Sequence, residues 1–467
     1  MAACYTHPKA AMLNHTIFLL FLAAELPAPM QTAIDTAVKK TMSEAGVASV
    51  SIAIVKDAQI AYVRAYGDAR LEPKTPATPG MRYKIASNSK QITATAILLL
   101  AEEGKLSVDD PVSRFLPDLT RANEVTIREL LSHTSGYQDY YPLDYVAPFM
   151  TQKASPQHIV DTWAKKPLDF DPGTQWQYSN TNYTIAGLII EKITGKPVIE
   201  FLREHIFQAL GMHSPIDVDA VPWSAADATG YVRYALGPSR VAPGEAQGWM
   251  YAAGELGMTA SDLARWDISL INDTILKPAS LKELTTEVHL KNGAGTGYAL
   301  GLGVSNRNGH RKWAHGGGAD GFISENFTLP DDKISVTVLT NQEDPAPHRI
   351  ASDIESILIA PPPDPDAPAA LARVRGIFTG LQNGKLDRSL LSDDGNAYFT
   401  AKVIADFRDS LKPLGTPAEF KQTSMSLRGG MVFRSFSIKA ANKRLELTTF
   451  ATPDGKLAQY MIYPATN

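Results

Sequence analysis

Apolar positions recur every four residues from Met30 to Gly46, at Ile34, Val38 and Met42. This spacing predicts a helix that stops at Gly46. The next apolar run, Val50-Ser51-Ile52-Ala53-Ile54-Val55, is short and rich in β-branched residues, which predicts a strand. Lys56-Asp57-Ala58 supplies a turn, and Ile60 to Val63 the returning strand of a hairpin. Residues 72–80 are rich in Pro and Thr and read as a loop. Ser87 to Glu103 predicts a buried helix through Ile92, Ile97, Leu98, Leu99 and Leu100, ended by Gly104. From 105 to 235 the pattern is largely helical with long connections, as at Val125 to Ser132 and Thr184 to Thr194. Strand patterns return after a glycine-rich stretch at 253–257, most clearly over Tyr298 to Val304 and Ile334 to Leu339. A helix from about Arg349 to Ile359 follows.

Helix and strands, a helical insert at about 105–235, then strands and helix again: this order predicts a sheet assembled from both ends of the segment, with a helical region beside it. Residues 361–368 are dense in proline and predict an extended linker. Residues 369–467 are of domain size. They open with a helix (Leu371, Val374, Phe378, Leu381) and a second near Ala401 to Leu411, then alternate as strands at Val432/Arg434/Phe436, Leu445/Leu447 and Gln459 to Tyr463. The pattern is α+β, with helices first and an antiparallel sheet after.

Composition narrows the partners. The net charge of −4 and the absence of any Lys/Arg run argue against a nucleic-acid surface. A small-molecule or peptide substrate is the expected partner, with no stable membrane span. The only cysteine is Cys4. It precedes an apolar run, Ile17 to Ala24, which follows Lys9 and is too short to span a bilayer. The run fits a secretory signal peptide over residues 1–28, cut near Ala24 to Ala28, and a periplasmic or secreted protein. An amphipathic N-terminal helix would read similarly. A mature chain without cysteine has no Cys nucleophile, no disulfide framework and no Cys-ligated zinc. No HExxH, no P-loop pattern and no G-x-S-x-G occurs, so no metal and no cofactor is expected.

Three stretches carry chemistry. In Ser87-Asn88-Ser89-Lys90 the helical i, i+3 spacing puts an amine beside a hydroxyl. Serine needs a neighbouring base to attack, and burial would favour the neutral, proton-accepting amine. A capped helix with a solvent-facing lysine gives the same tetrad. Tyr178-Ser179-Asn180 adds a phenol and an amide. Tyr178 acts as a base only if a cation such as Lys90 lowers its pKa, and Asn180 can anchor a substrate carbonyl and Lys90 together. An Asn-rich turn capping the next helix is the plainer reading. His315-Gly316-Gly317-Gly318 lets backbone N–H groups approach a substrate, so that Gly318 or Gly317 and the Ser87 N–H form an oxyanion hole. His315 would face the cleft as a donor or partial cation. His133 reads as structural. Tyr137-Gln138-Asp139-Tyr140-Tyr141 reads equally as cleft lining or as a partly buried loop.

Together, in this order, the three resemble the motif set of class C β-lactamases and penicillin-binding proteins. Val125 to Gly136 and Ala252 to Ala264 look like two further stretches of that family. The resemblance covers about residues 30 to 360. It implies an α/β fold, with an antiparallel sheet flanked by helices plus an all-α domain, the cleft between them, and a β-lactamase-like serine hydrolase domain at 29–360. The C-terminal α+β domain stands apart and resembles NTF2-like or cystatin-like modules. It is a candidate for holding a homo-oligomer together. Carried over by residue, Ser87 becomes the acylated nucleophile, Lys90 its activator, Tyr178 the base and leaving-group acid, and Asn180 a substrate anchor. His315 stands where lactamases carry a lysine, which weakens carboxylate recognition. The implied activity is hydrolysis of ester or amide bonds through an acyl-enzyme on Ser87. The alternatives are a D-Ala-D-Ala carboxypeptidase or β-lactamase, and a penicillin-binding envelope protein without turnover.

Overall fold

The computed structural model describes residues 25–465 apart from 222, 308, 360–363 and 442. Cys4 and the apolar run Ile17 to Ala24, read as part of a signal peptide, therefore lie outside the described residues. The chain forms two compact units, divided between Ile359 and Ala360.

In the first unit, α1 (Ala28–Ala45) ends on Gly46, which takes φ +66 and closes the helix on the Met42 carbonyl. β1 (Ser49–Lys56) and β2 (Gln59–Leu71) form the expected hairpin, and β3 (Lys74–Pro76) adds a short edge strand in the stretch read as loop. β4 (Gly303–Arg307), β5 (His310–Ala319), β6 (Phe322–Leu329) and β7 (Ile334–Thr340) complete a seven-stranded sheet of order β3-β2-β1-β7-β6-β5-β4. β1 pairs antiparallel with β7, with Ile52 opposite Val338 and Ile54 opposite Val336. The two ends of the unit thus close one sheet.

Both faces of that sheet are covered. Ile52 and Ile54 pack with Ile34, Val38, Ile350 and Ile354 under α1 and α5 (Ala346–Leu358). Ala53, Val55 and Leu339 belong to the larger core on the other side, with α2 (Ser89–Glu102), α3 (Asn180–Thr194) and α4 (Ala260–Ile271). Burial on two faces takes in every β1 residue from Ser49 to Val55, the serines Ser49 and Ser51 included. The region between α2 and α4 is held by α3, short helices and brief strands at Ile216–Asp217 and Tyr231–Val232. The strand expected from Tyr298 starts only at Gly303, because Tyr298 to Leu302 turn back against it.

The second unit carries α6 (Ala367–Gln382) and α7 (Ala401–Leu411) before a four-stranded antiparallel sheet. Its strands are β8 (Glu419–Arg428), β9 (Met431–Ala440), β10 (Lys443–Ala451) and β11 (Leu457–Pro464). The linker drawn at 361–368 runs too far. α6 begins at Ala367, and Asp364 is already bound by Arg434 (2.8 Å) and Gln422 (2.8 Å). Its carboxyl is held down to about 2, first by the Arg434 hydrogen bond.

Ile54 is wholly buried in the sheet's inner layer. Ile54→Ala should cost about 2–5 kcal/mol of unfolding free energy in urea titrations followed by circular dichroism. A loss below about 1 kcal/mol would show that this layer is not the packed core described.

Candidate active site

Ser87 does not lie in the α-helix proper. It sits in a single 3₁₀ turn, Ala86–Asn88, directly before α2. The preceding Ala86 takes φ +47, a conformation that costs energy for a residue with a Cβ. The turn offers the Ser87 hydroxyl to a cleft of about 760 Å³. Three residues per turn still put Ser87 and Lys90 on one face. Lys90 Nζ donates to Ser87 Oγ (2.9 Å), Asn180 Oδ1 (2.8 Å) and the Ala253 carbonyl (2.8 Å). All three ammonium protons are thereby used. Asn180, first residue of α3, is fixed by Asp139, which accepts its backbone N–H (2.8 Å) and its side-chain amide (3.2 Å). The Asn180 amide therefore orients Lys90 against Asp139 before it meets any substrate.

Lys90 is wholly buried. Burial lowers its pKa to about 7, with the Asp139 charge opposing the shift. At neutral pH a large fraction is the free amine, able to take the Ser87 proton. Tyr178 behaves differently from expectation. Its ring lies 4.9 Å from Lys90 Nζ, yet burial raises its pKa, outweighing the Ser87 hydroxyl that pulls it down. The phenol stays protonated and is equipped to donate rather than to act as the first base.

His315 also departs from its expected role. Its Nδ1–H donates to the Gly316 carbonyl, which leaves Nε2 to accept from the Tyr298 hydroxyl (2.8 Å). Burial and then the Lys90 charge lower its pKa to about 4, so it is neutral and supplies no cation. His133 is buried at φ +60, with its ring 4.2 Å from that of Tyr178, and its Nδ1 accepts the Ser179 N–H (3.2 Å). It braces the phenol's segment.

β5 runs beside the Ser87 turn. A Cβ on Gly317 would stand 2.3 Å from the Ile85 carbonyl and 2.9 Å from Ser87 N, so only glycine permits this approach. Gly318, paired with Ile323, then lines the cleft with Ser87. Ser87 N–H, near the start of its turn, has no intrahelical acceptor. These two backbone positions are suited to hold an oxyanion. A buried polar chain locks the turn to the sheet. Asn88 donates to Ser324 Oγ (2.9 Å), which donates to the Ile85 carbonyl (2.8 Å), and Gln91 accepts from Trp266 Nε1 (2.8 Å). Sequence reasoning missed Ser324, Tyr298 and the Asp139 contact with Asn180. Asp139 lay in the aromatic segment that read equally as cleft lining or as a partly buried loop, and Tyr140 and Tyr141 line the cleft.

A serine with an adjacent desolvated amine, a protonated phenol and paired backbone donors is the equipment of a serine hydrolase. The Beta-lactamase family pattern matches residues 34–359, and the chain belongs to that family. Penicillin-binding protein 4* of Bacillus subtilis (strain 168) is 30% identical over 386 residues, 78% of this chain and 84% of that protein. The fold is shared with an octameric penicillin-binding protein homologue from Pyrococcus abyssi (TM-score 0.63, 21% identity, 94% of this chain and 96% of that one). A D-stereospecific amidohydrolase from Streptomyces sp. aligns at TM-score 0.59 and 25% identity, over 68% of this chain and 96% of its own.

Lys90 must lose its proton before Ser87 can. The kcat/KM profile should therefore rise with pH through about 7. It should not fall again near pH 10, because the Tyr178 pKa is raised. Asp139→Asn removes the charge that opposes burial and should move the rising limb to lower pH. A limb in the ordinary lysine range, or one that Asp139→Asn shifts upward, would contradict Lys90 as the base.

Proposed function

We propose that this chain hydrolyses ester or amide bonds in two steps through an acyl-enzyme on Ser87. The observation that carries the reading is the 2.9 Å hydrogen bond between Ser87 Oγ and the wholly buried Lys90 amine. In the first step the Ser87 oxygen attacks the carbonyl carbon and its proton passes to Lys90. The oxyanion is held by the Ser87 and Gly318 N–H groups. The leaving amine or alkoxide takes a proton from Tyr178, which Lys90 re-protonates. Water then attacks the ester carbon, and the same groups return Ser87 to its hydroxyl. Amide substrates are supported by family membership and by the likeness to the Streptomyces amidohydrolase. A carboxylate-directed β-lactamase or carboxypeptidase reading loses its main support with a neutral His315.

Ser87→Ala should lower turnover of p-nitrophenyl esters by at least about a thousandfold while the melting temperature stays within a degree or two. Intact-mass measurement should show one fluorophosphonate on the parent chain and none on the variant. Undiminished turnover by Ser87→Ala would end this proposal.

The same reading extends to an exported protein, supported by Lys9 and the apolar run Ile17 to Ala24. Leu26 is buried and its N–H donates to the Ala61 carbonyl (3.3 Å), so cleavage that keeps the fold falls before it. N-terminal sequencing of protein from the periplasmic fraction should begin between Ala24 and Leu26. Protein confined to the cytosol with its first residues intact would remove the export reading.

A further inference from the structure

Asp267 takes no part in the acyl transfer described above, yet it is a carboxyl kept wholly out of water on α4. The Asn326 amide and the hydroxyls of Ser335, Thr337 and Thr328 stand around it. Arg265, two residues earlier, is bound to Asp262 instead (2.6 Å), and Asp267 belongs to no ion pair among the described residues. Its Oδ2 accepts the Asn326 side-chain amide (2.8 Å), while its Oδ1 accepts nothing. A buried carboxyl satisfied on one oxygen only costs stability that an apolar side chain of similar size would not.

Asp267 ends a row of buried side-chain amides that leads to Ser87. Asn326, Gln91 and Asn88 are each no more than 2% exposed. The row runs in one direction. Trp266 Nε1 can only donate, and it donates to Gln91 Oε1 (2.8 Å). Gln91 must therefore turn its NH2 toward Asn326 Oδ1 (3.3 Å) and Asn88 Oδ1 (3.2 Å). Asn88 is left to donate to Ser324 Oγ (2.9 Å), whose hydroxyl donates to the Ile85 carbonyl (2.8 Å). Asn326 can offer its oxygen to Gln91 only if its NH2 finds acceptors on the other side. Those acceptors are Asp267 Oδ2 and Thr337 Oγ1 (3.1 Å). A threonine hydroxyl could equally donate to an inverted amide, so it is Asp267 that fixes the direction. An inverted Asn326 would set its NH2 against that of Gln91.

The row joins the two halves of the oxyanion site. Asn88 follows Ser87 in the turn. In the pairing of β5 with β6, Ser324 stands opposite Gly317 and Asn326 opposite His315. A Cβ on Gly317 would lie 2.6 Å from Ser324 Oγ, so β5 passes close against this serine. These side chains thereby set the separation of the Ser87 and Gly318 N–H groups. We infer that Asp267 is a positioning residue for acyl transfer: by fixing the direction of the Asn326, Gln91 and Asn88 amides it holds the Ser87 turn against β5 at the spacing a tetrahedral oxyanion requires. This rests on the acyl-enzyme reading above. Asp267 touches no substrate, and its effect falls on the transition state rather than on substrate binding.

Three variants of the full chain test it, with p-nitrophenyl acetate as substrate and phenylboronic acid as inhibitor. The boronic acid adds to Ser87 Oγ and presents a tetrahedral oxygen to the same N–H pair. Asp267→Leu removes the acceptor at similar volume, and Asp267→Ala removes it and leaves the space. Each should lower kcat about ten- to a hundredfold with KM within about twofold of the parent. The inhibition constant of phenylboronic acid should rise in step with the loss of kcat. Asp267→Asn keeps an oxygen for the Asn326 amide, and its kcat should stay within about threefold of the parent. The melting temperature reports whether each variant is folded, and Asp267→Leu should melt within a few degrees of the parent. An unchanged kcat and boronate constant in Asp267→Leu would overturn the inference, as would a loss that falls on KM. So would an Asp267→Asn variant as slow as Asp267→Ala, or failure of both Asp267→Leu and Asp267→Ala to fold, which would make the residue structural. In all these cases fluorophosphonate still labels Ser87 of the parent and the hydrolase reading stands. A parent chain that cleaves no ester and takes up no fluorophosphonate removes the hydrolase reading and this inference with it.

Discussion

Taking an ammonium out of water costs several kcal/mol unless its partners repay the loss. Lys90 is enclosed with three acceptors, none of them charged: a serine hydroxyl, an amide oxygen and a backbone carbonyl. That set satisfies the protons without fully answering the charge. The pKa settles near 7, which corresponds to roughly 5 kcal/mol in favour of the neutral amine relative to an exposed lysine. Everything else in the site depends on this imbalance. A carboxylate in direct contact with Lys90 would restore its charge and leave Ser87 without a base. Asp139 acts instead through Asn180, one residue removed. It opposes the burial without cancelling it.

The fold exists around that amine. α2 is buried on nearly every side, so its lysine cannot reach water by changing rotamer. The turn that carries Ser87 is held from β6 by Ser324, and β5 passes close enough to need Gly317. The sheet providing both strands is closed by β1 from the other end of the unit. Strain at Ala86 is tolerated because packing and hydrogen bonds fix the turn on each side of it.

Much of this was legible in the sequence where it depended on local pattern. α1, β1 and β2 follow from apolar spacing and β-branching, and the Ser87/Lys90 contact follows from i, i+3 geometry. What stayed hidden depended on long-range burial. The Tyr178 pKa could not be signed without knowing that desolvation exceeds the pull of neighbouring groups. A histidine in a glycine-rich stretch gives no hint that Tyr298 will hold its ring. β8 was missed because its alternation is broken by exposed residues on a sheet edge. Tyr298 to Leu302 reads as a strand by composition, but Gly301 adopts φ +80 and turns the chain.

The neutral state of His315 bears directly on the base. A fixed cation at that position would lie near Lys90, whose charge already lowers the histidine's pKa. Repulsion acts both ways, so a second cation would push Lys90 below 7 and weaken it as a proton acceptor. It would also attract carboxylates into the cleft. A neutral imidazole, donating to Gly316 and accepting from Tyr298, avoids both effects and still supports β5 where Gly317 meets Ser87. One side chain thus spares the amine a second cation while its hydrogen bonds hold the strand that meets the Ser87 turn.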